Sequence, residues 1–174
     1  PRNLTAHKGD FGRLLVIGGS IVYSGAPALV SLAALRTGVD IVYVAAPEKT
    51  AYAISSMSPD LITIKLDGEN LKPTNIETIK PYLSMVDAVA IGPGLGMNAE
   101  TIKFVKVCVD EVEKAKKPLL LDADGLKAFA KFKRVLKVPL VLTPHAGEYA
   151  ILTGEELPEN QEERVAAIQK NAKK

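Results

Sequence analysis

The sequence is poor in the residues that staple, ligate or stack. It holds one cysteine, Cys108, in 174 residues, which excludes an intrachain disulfide, fits a reducing compartment and leaves that thiol to fill core. Aromatic residues make up 5%, and 22 basic residues are scattered among 20 acidic ones for a formal net charge of +2. Without an arginine stripe or aromatic platform, there is no basis for nucleic-acid binding. Residues 14–35 are uncharged and long enough to span a bilayer. Gly18, Gly19, Ser20, Ser24, Gly25 and Pro27 nevertheless cut that stretch into a short run, a turn and a helix. Asp10 precedes it and no A-x-A site closes it, which argues against a signal peptide. A membrane partner is not expected, and the reading is a cytoplasmic protein. There is no G-x-G-x-x-G, Walker A or G-x-S-x-G pattern and no cysteine pair, and His7 and His145 stand far apart. A dinucleotide fingerprint, a phosphate-cradling P-loop, a hydrolase elbow and a structural zinc site are therefore not indicated.

What is present is ordinary globular material, 47% hydrophobic and 24% charged, enough for one domain that buries roughly two-thirds of its unfolded surface. Short β-branched runs alternate with helical patterns. Strands are predicted at 14–17, 41–45, 61–65, 88–91, 119–121 and 140–142. Helices are predicted at 26–37, 47–57, 76–83, 100–115, 126–133, 148–153 and 160–173, with a polar loop over 66–74. Continuously apolar strands are buried on both faces, the pattern of parallel sheets covered by helices. The fold class is α/β, with a mostly parallel sheet and no internal repeat. The last helix ends the sequence where a crossover would ordinarily deliver another parallel strand. The expectation is a single domain over 1–174 that is incomplete at its C-terminus.

Four unusual segments each follow a predicted strand, on the sheet edge where ligands bind in open α/β folds. Gly18-Gly19-Ser20 with Ser24-Gly25-Ala26-Pro27 leads into the first helix, either as a plain tight turn or as a close approach for an anion. Gly92-Pro93-Gly94-Leu95-Gly96 forms a low-profile loop, either a turn or a bed for something flat or phosphorylated. In Asp122-Ala123-Asp124-Gly125, Asp124 reads as the N-cap of the helix, while Asp122 is placed to orient a hydroxyl, water or cation. In Thr143-Pro144-His145-Ala146-Gly147-Glu148, His145 stands at a helix start, where the positive field favours a neutral imidazole over a charged one. It is read as a site residue or a surface histidine beside a cap. His7 is read as solvated.

His7-Lys8-Gly9-Asp10-Phe11-Gly12, Leu15-Val16-Ile17-Gly18-Gly19-Ser20, Tyr23-Ser24-Gly25-Ala26-Pro27 and Ala33-Ala34-Leu35-Arg36-Thr37-Gly38, followed in order by the three later segments, resemble the NAD(P)H-hydrate dehydratase family over nearly the whole sequence. The resemblance implies a ribokinase-like fold. It also implies a repair reaction in which ADP or ATP, with Mg2+, is used to dehydrate hydrated NADH or NADPH. Hydroxide leaves poorly; phosphorylation makes the ring oxygen a good leaving group, and the ring nitrogen's lone pair expels it. By the same resemblance, Ala26, Gly94, Gly96 and His145 contact the substrate, Glu148 belongs to the same wall, and Asp122 orders water or magnesium. The metal ligands are otherwise unassigned.

The family continues into a Lys-Gly strand end and a Gly-Gly-Thr-Gly-Asp segment carrying the nucleotide site and catalytic aspartate. That aspartate is expected beyond Lys174, so this stretch is read as inactive alone and contributes no catalytic residue. A homo-oligomer and an epimerase fused before Pro1 or otherwise associated are further implications. The alternatives are a kinase of the same fold acting on a sugar, hydroxymethylpyrimidine or thiazole alcohol, and a non-catalytic nucleotide-binding module.

Overall fold

The computed structural model describes residues 5–173. Its six strands are β1 (Arg13–Ile17), β2 (Ile41–Pro47), β3 (Ile62–Leu66), β4 (Ala88–Ile91), β5 (Leu119–Leu121) and β6 (Leu140–Leu142). Every pairing is parallel, and the order across the sheet is β3-β2-β1-β4-β5-β6. The helices are α1 (Gly25–Thr37), α2 (Glu48–Met57), α3 (Ile76–Leu83), α4 (Ala99–Lys114), α5 (Ala123–Ala130), α6 (Ala146–Thr153) and α7 (Gln161–Asn171).

The pleat divides the core in two. Leu15 and Ile17 of β1 face a cluster with Ile79 of α3, Phe104, Cys108 and Val112 of α4, and Leu126 of α5. Val16, between them, joins Val42 and Val44 against Ala28 of α1 and Ala51 and Ile54 of α2. All three β1 residues are wholly buried, so the continuous apolar run reflects cover on both faces. In α4 the buried positions Phe104, Val105, Cys108, Val109 and Val112 repeat at helical spacing. Asn98 starts that helix by accepting the Thr101 N–H at 2.9 Å. Gly38 ends α1 with φ of 108°, a left-handed cap open to glycine without a Cβ penalty. Burial pushes the Cys108 thiol well above its ordinary range, consistent with core filling.

The expected elements are all present, with shifted ends. The largest correction is α5, which starts at Ala123 rather than residue 126. The Asp122 carbonyl accepts the N–H groups of Gly125 and Leu126 at 3.0 and 3.3 Å, placing Gly125 inside the first turn. A Cβ on Gly125 would lie 2.6 Å from the Ile91 carbonyl oxygen, so that glycine permits helix and strand to touch rather than marking a boundary. Helix α6 likewise begins at Ala146, with His145 as its cap, and α7 runs from Gln161 to Asn171. The loop over 66–74 is less polar in place than in composition, because Leu71 is fully buried. No described helix is long and apolar enough to cross a membrane.

Candidate functional site

The strand order reverses direction between β1 and β4. At such a point, loops leave toward opposite faces and a crevice opens beyond the strand ends. The two glycine-rich segments are the loops leaving these strands. Backbone closes them on each other. Gly19 N–H donates to the Pro93 carbonyl at 2.8 Å, and Gly92 N–H donates to that of Ile17 at 3.1 Å. A Cβ on Gly18 would sit 2.5 Å from the Pro93 oxygen, and one on Gly92 only 1.8 Å from that of Asp122. Gly18 and Gly92 thus solve a packing problem.

Gly94 is also closely packed, whereas Gly96 is open. Gly94, at φ of 71°, faces the β1 loop: a Cβ there would stand 2.8 Å from Tyr23 Cβ and 3.6 Å from Ala26 Cβ. Gly96, at φ of 77°, has nothing within 4 Å of such an atom. Between them Leu95 is wholly buried and anchors the loop. Across from Gly94, α1 begins at Ser24 without a side-chain cap, leaving its first N–H groups without an intrahelical acceptor.

The next two segments continue the rim. Asp124 does not cap α5, contrary to expectation; Asp122 occupies the cap position without making a side-chain cap bond. Asp124 lies in the first turn, where its carboxylate accepts the Gly96 N–H at 2.9 Å and pairs with Lys127 at 2.6 Å. Asp122 Oδ1 accepts the Thr143 hydroxyl at 2.7 Å, joining the loops after β5 and β6. Between them Ala123 holds φ of 48°, a left-handed conformation costly for a residue with a Cβ.

His145 Nδ1 accepts the N–H groups of Gly147 and Glu148, at 3.1 and 3.4 Å. Its lone pair is therefore at Nδ1, which places the proton of the neutral ring at Nε2. In return Glu148 Oε2 accepts the His145 N–H at 3.2 Å, and Oε1 lies 3.3 Å from Nε2. The His145 side chain is 73% exposed and that of Glu148 only 6%. The histidine presents its ring to solvent, while the glutamate is first a capping-box residue.

The structure therefore brings Ala26, Gly94, Gly96, Asp122, His145 and Glu148 to one edge of the sheet. It does not bring His7 there: that residue precedes β1 on the opposite edge and its N–H donates to Asp10 at 2.7 Å. The adjoining Gly9 and Phe11 donate their N–H groups to Asp40, at 2.9 and 3.0 Å, so that motif folds the entry to β1.

Sequence reasoning missed two features. Lys127 is the lone lysine or arginine in residues 18–27, 92–98, 122–127 and 143–148, a count that was available as a signal. A cavity of about 220 Å³ also lies beyond β2 and β3, lined by Ile21, Pro47, Thr50 and Glu69 among others. Ordinary loop composition gave no sign of it. Among the described residues no group of three or more His, Cys, Asp or Glu is arranged to hold a metal ion.

Comparison with known proteins agrees with this fold. The family described as NAD(P)H-hydrate dehydratase matches residues 14–174. A bifunctional NAD(P)H-hydrate repair enzyme Nnr from Pyrobaculum aerophilum is 44% identical over 98% of this chain and 34% of its own length. An ATP-dependent (S)-NAD(P)H-hydrate dehydratase from Pediculus humanus subsp. corporis is 36% identical over 86% of this chain and 49% of its own. The chain spans about a third of the length of the Nnr relatives it matches.

The Bacillus subtilis ADP/ATP-dependent NAD(P)H-hydrate dehydratase, co-crystallised with ATP/Mg2+, superposes with a TM-score of 0.75. It is 29% identical, over 99% of this chain and 58% of that one. A ribokinase-like superfamily protein from Enterococcus faecalis, 23% identical, shares the fold with a TM-score of 0.80 over 98% of this chain and 58% of its own. The six-stranded α/β architecture is ribokinase-like, and the chain belongs to the NAD(P)H-hydrate dehydratase family.

Proposed function

We propose that this chain forms the dinucleotide-binding wall of an enzyme that dehydrates hydrated NADH or NADPH to the intact reduced cofactor. The observation that carries the reading is the open position at Gly96, on the same edge as the uncapped start of α1 at Ala26, with Gly94 packed on the β1 loop between them. With no side chain at Gly96, a flat ring can approach the backbone of that loop. His145 bounds the opening at the β6 end and offers the polar edge of an exposed ring. Its two backbone bonds fix the ring's orientation, as preorganised binding requires. Glu148 supports this wall by holding His145.

ADP or ATP with Mg2+, when bound, supplies the phosphoryl group that turns the ring hydroxyl into a leaving group. The residues at Asp122 fit such a metal. Nucleotide-bound magnesium commonly takes one or two carboxylates from protein and keeps several waters, and Asp122 has its Oδ1 tied to Thr143 with a second oxygen remaining. Asp122 would hold the ion or its water. The names of the relatives support the substrate and, through the word bifunctional, a fused or associated epimerase. A buried, unpaired Cys108 suits the cytoplasm, and the exposed Val22 and Leu29 at the start of α1 suit self-association as a homo-oligomer.

The test supplies the protein with hydrated NADH or NADPH and ADP or ATP, and follows the return of reduced-nicotinamide absorbance. Nucleotide-dependent recovery is the expected result. A stable phosphorylated alcohol, formed from a sugar, hydroxymethylpyrimidine or thiazole alcohol in place of recovery, would identify a kinase instead. For the chain alone, calorimetric titration with the hydrate should show binding that His145→Ala weakens.

A further inference from the structure

Lys127 lies on α5, one turn beyond the rim residue Asp124. Its ammonium is 2.6 Å from Asp124, whose other oxygen accepts the N–H of Gly96 in the loop after β4. The hydrogen bond it donates to Asp124 raises its pKa, and the fields of Glu148 on α6 and Tyr23 in the β1 loop add to that effect. Through Asp124 the cation is thus tied to the loop after β4. The Asp124–Lys127 pair is also set apart from other three-residue-spaced pairs on this molecule. Its side chains are 33% and 16% exposed, whereas Lys103–Glu100 and Lys80–Glu77 project from their helices and tie down no loop.

Charge gives the position its meaning. The same segments carry Asp122, Asp124 and Glu148, so without Lys127 this end of the rim would repel any anion. An ammonium has three donors; one serves Asp124 and the others remain for a ligand.

We propose that Lys127 receives the pyrophosphate bridge of the dinucleotide, with Asp124 positioning both the ammonium and the Gly96 loop against it. This rests on the function proposed above and adds a substrate-binding role for a residue outside the glycine and histidine positions. It identifies the ligand chemistry as a phosphate-bridged dinucleotide rather than a free nicotinamide nucleoside.

The test is calorimetric titration of the chain with two probes, hydrated NADH and hydrated reduced nicotinamide riboside, which lacks phosphate. Lys127→Gln should weaken binding of hydrated NADH by roughly tenfold or more, the loss of a charged hydrogen bond, and leave riboside binding unchanged. Lys127→Arg should retain most of the affinity. The dependence of NADH-hydrate affinity on salt should be shallower in Lys127→Gln, because one screened charge contact is gone. Asp124→Asn keeps an oxygen for the Gly96 N–H while releasing the ammonium, and should weaken binding of hydrated NADH less than Lys127→Gln does; no weakening at all would overturn the positioning role of Asp124. Equal weakening of both probes with an unaltered salt slope, or no effect of Lys127→Gln on hydrated NADH, would overturn the proposal. If the unaltered chain binds neither hydrate, the functional reading fails and this inference fails with it.

Discussion

Between β1 and β4 the loops are locked by main chain, whereas at β5 and β6 they are held by side chains. At the first junction Gly18 and Gly92, with Gly125 behind them, let main-chain carbonyls approach at distances that a Cβ forbids. At the second, Asp122 takes the Thr143 hydroxyl and His145 and Glu148 cap one another. Farther back, Arg134 binds Asp110 and Glu113, ending 2.7 and 2.6 Å away. The lesson is that glycine content alone does not mark a ligand site. In this rim the most constrained glycines carry the architecture, and Gly96 alone among those of the β4 loop is left open, where the proposed substrate would lie.

The sharpest way to break this comparison is to add one methyl group on each kind of glycine. Gly92→Ala would drive a Cβ to 1.8 Å from the Asp122 oxygen at φ of 137°. It should cost about 4 kcal/mol or more, at the upper end of single substitutions, measured as a fall in urea midpoint or loss of folding. Gly96→Ala meets open space and only the left-handed backbone penalty, so about 1 kcal/mol is expected. Equal costs would refute the division.

Next in size is Leu95→Ala. Burial of that side chain pins the loop between Gly94 and Gly96, and its truncation should cost about 2–5 kcal/mol while weakening hydrate binding. His145→Ala removes a helix cap and should cost only about 1 kcal/mol, with its larger effect on hydrate affinity; a stability loss as large as that of Leu95→Ala would contradict the account.

The smallest effect concerns acid. The Lys137 N–H, then Arg134, hold the Glu113 carboxyl below its ordinary range. A folded pKa below the unfolded one means that the contribution is present above the unfolded value and fades as pH falls through the folded one. Because Glu113 lies at the surface and is only half-buried, the change should be slight and screened by salt. Amide exchange at moderately acid pH should nevertheless rise around residues 134–142 before it rises around 14–17. The reverse order would count against an ionic tether.

Much of this was legible before any coordinates. The six strands and seven helices follow from apolar runs and helical periodicity, because a buried parallel strand has no polar face to blur its signal. The boundary at α5 was not legible. Gly125 normally marks a break, and only the approach of Ile91, distant in sequence, explains a glycine inside the first helical turn. The role of Asp124 failed for the same reason: a local rule assigned it to a cap, and a tertiary bond to Gly96 claimed it instead. Lys127 was overlooked because a lysine within a short amphipathic helix has the composition of a solvated face. Its link to the Gly96 loop, through Asp124, is a tertiary feature.

The central claim is that these four segments form one binding edge. Amide hydrogen exchange of the protein with and without saturating hydrated NADH tests it most directly. The account predicts protection in residues 19–27, 92–98, 122–127 and 143–148, with none in 7–12 on the opposite edge. Protection confined to 7–12, or spread away from the carboxyl ends of β1, β4, β5 and β6, would contradict it.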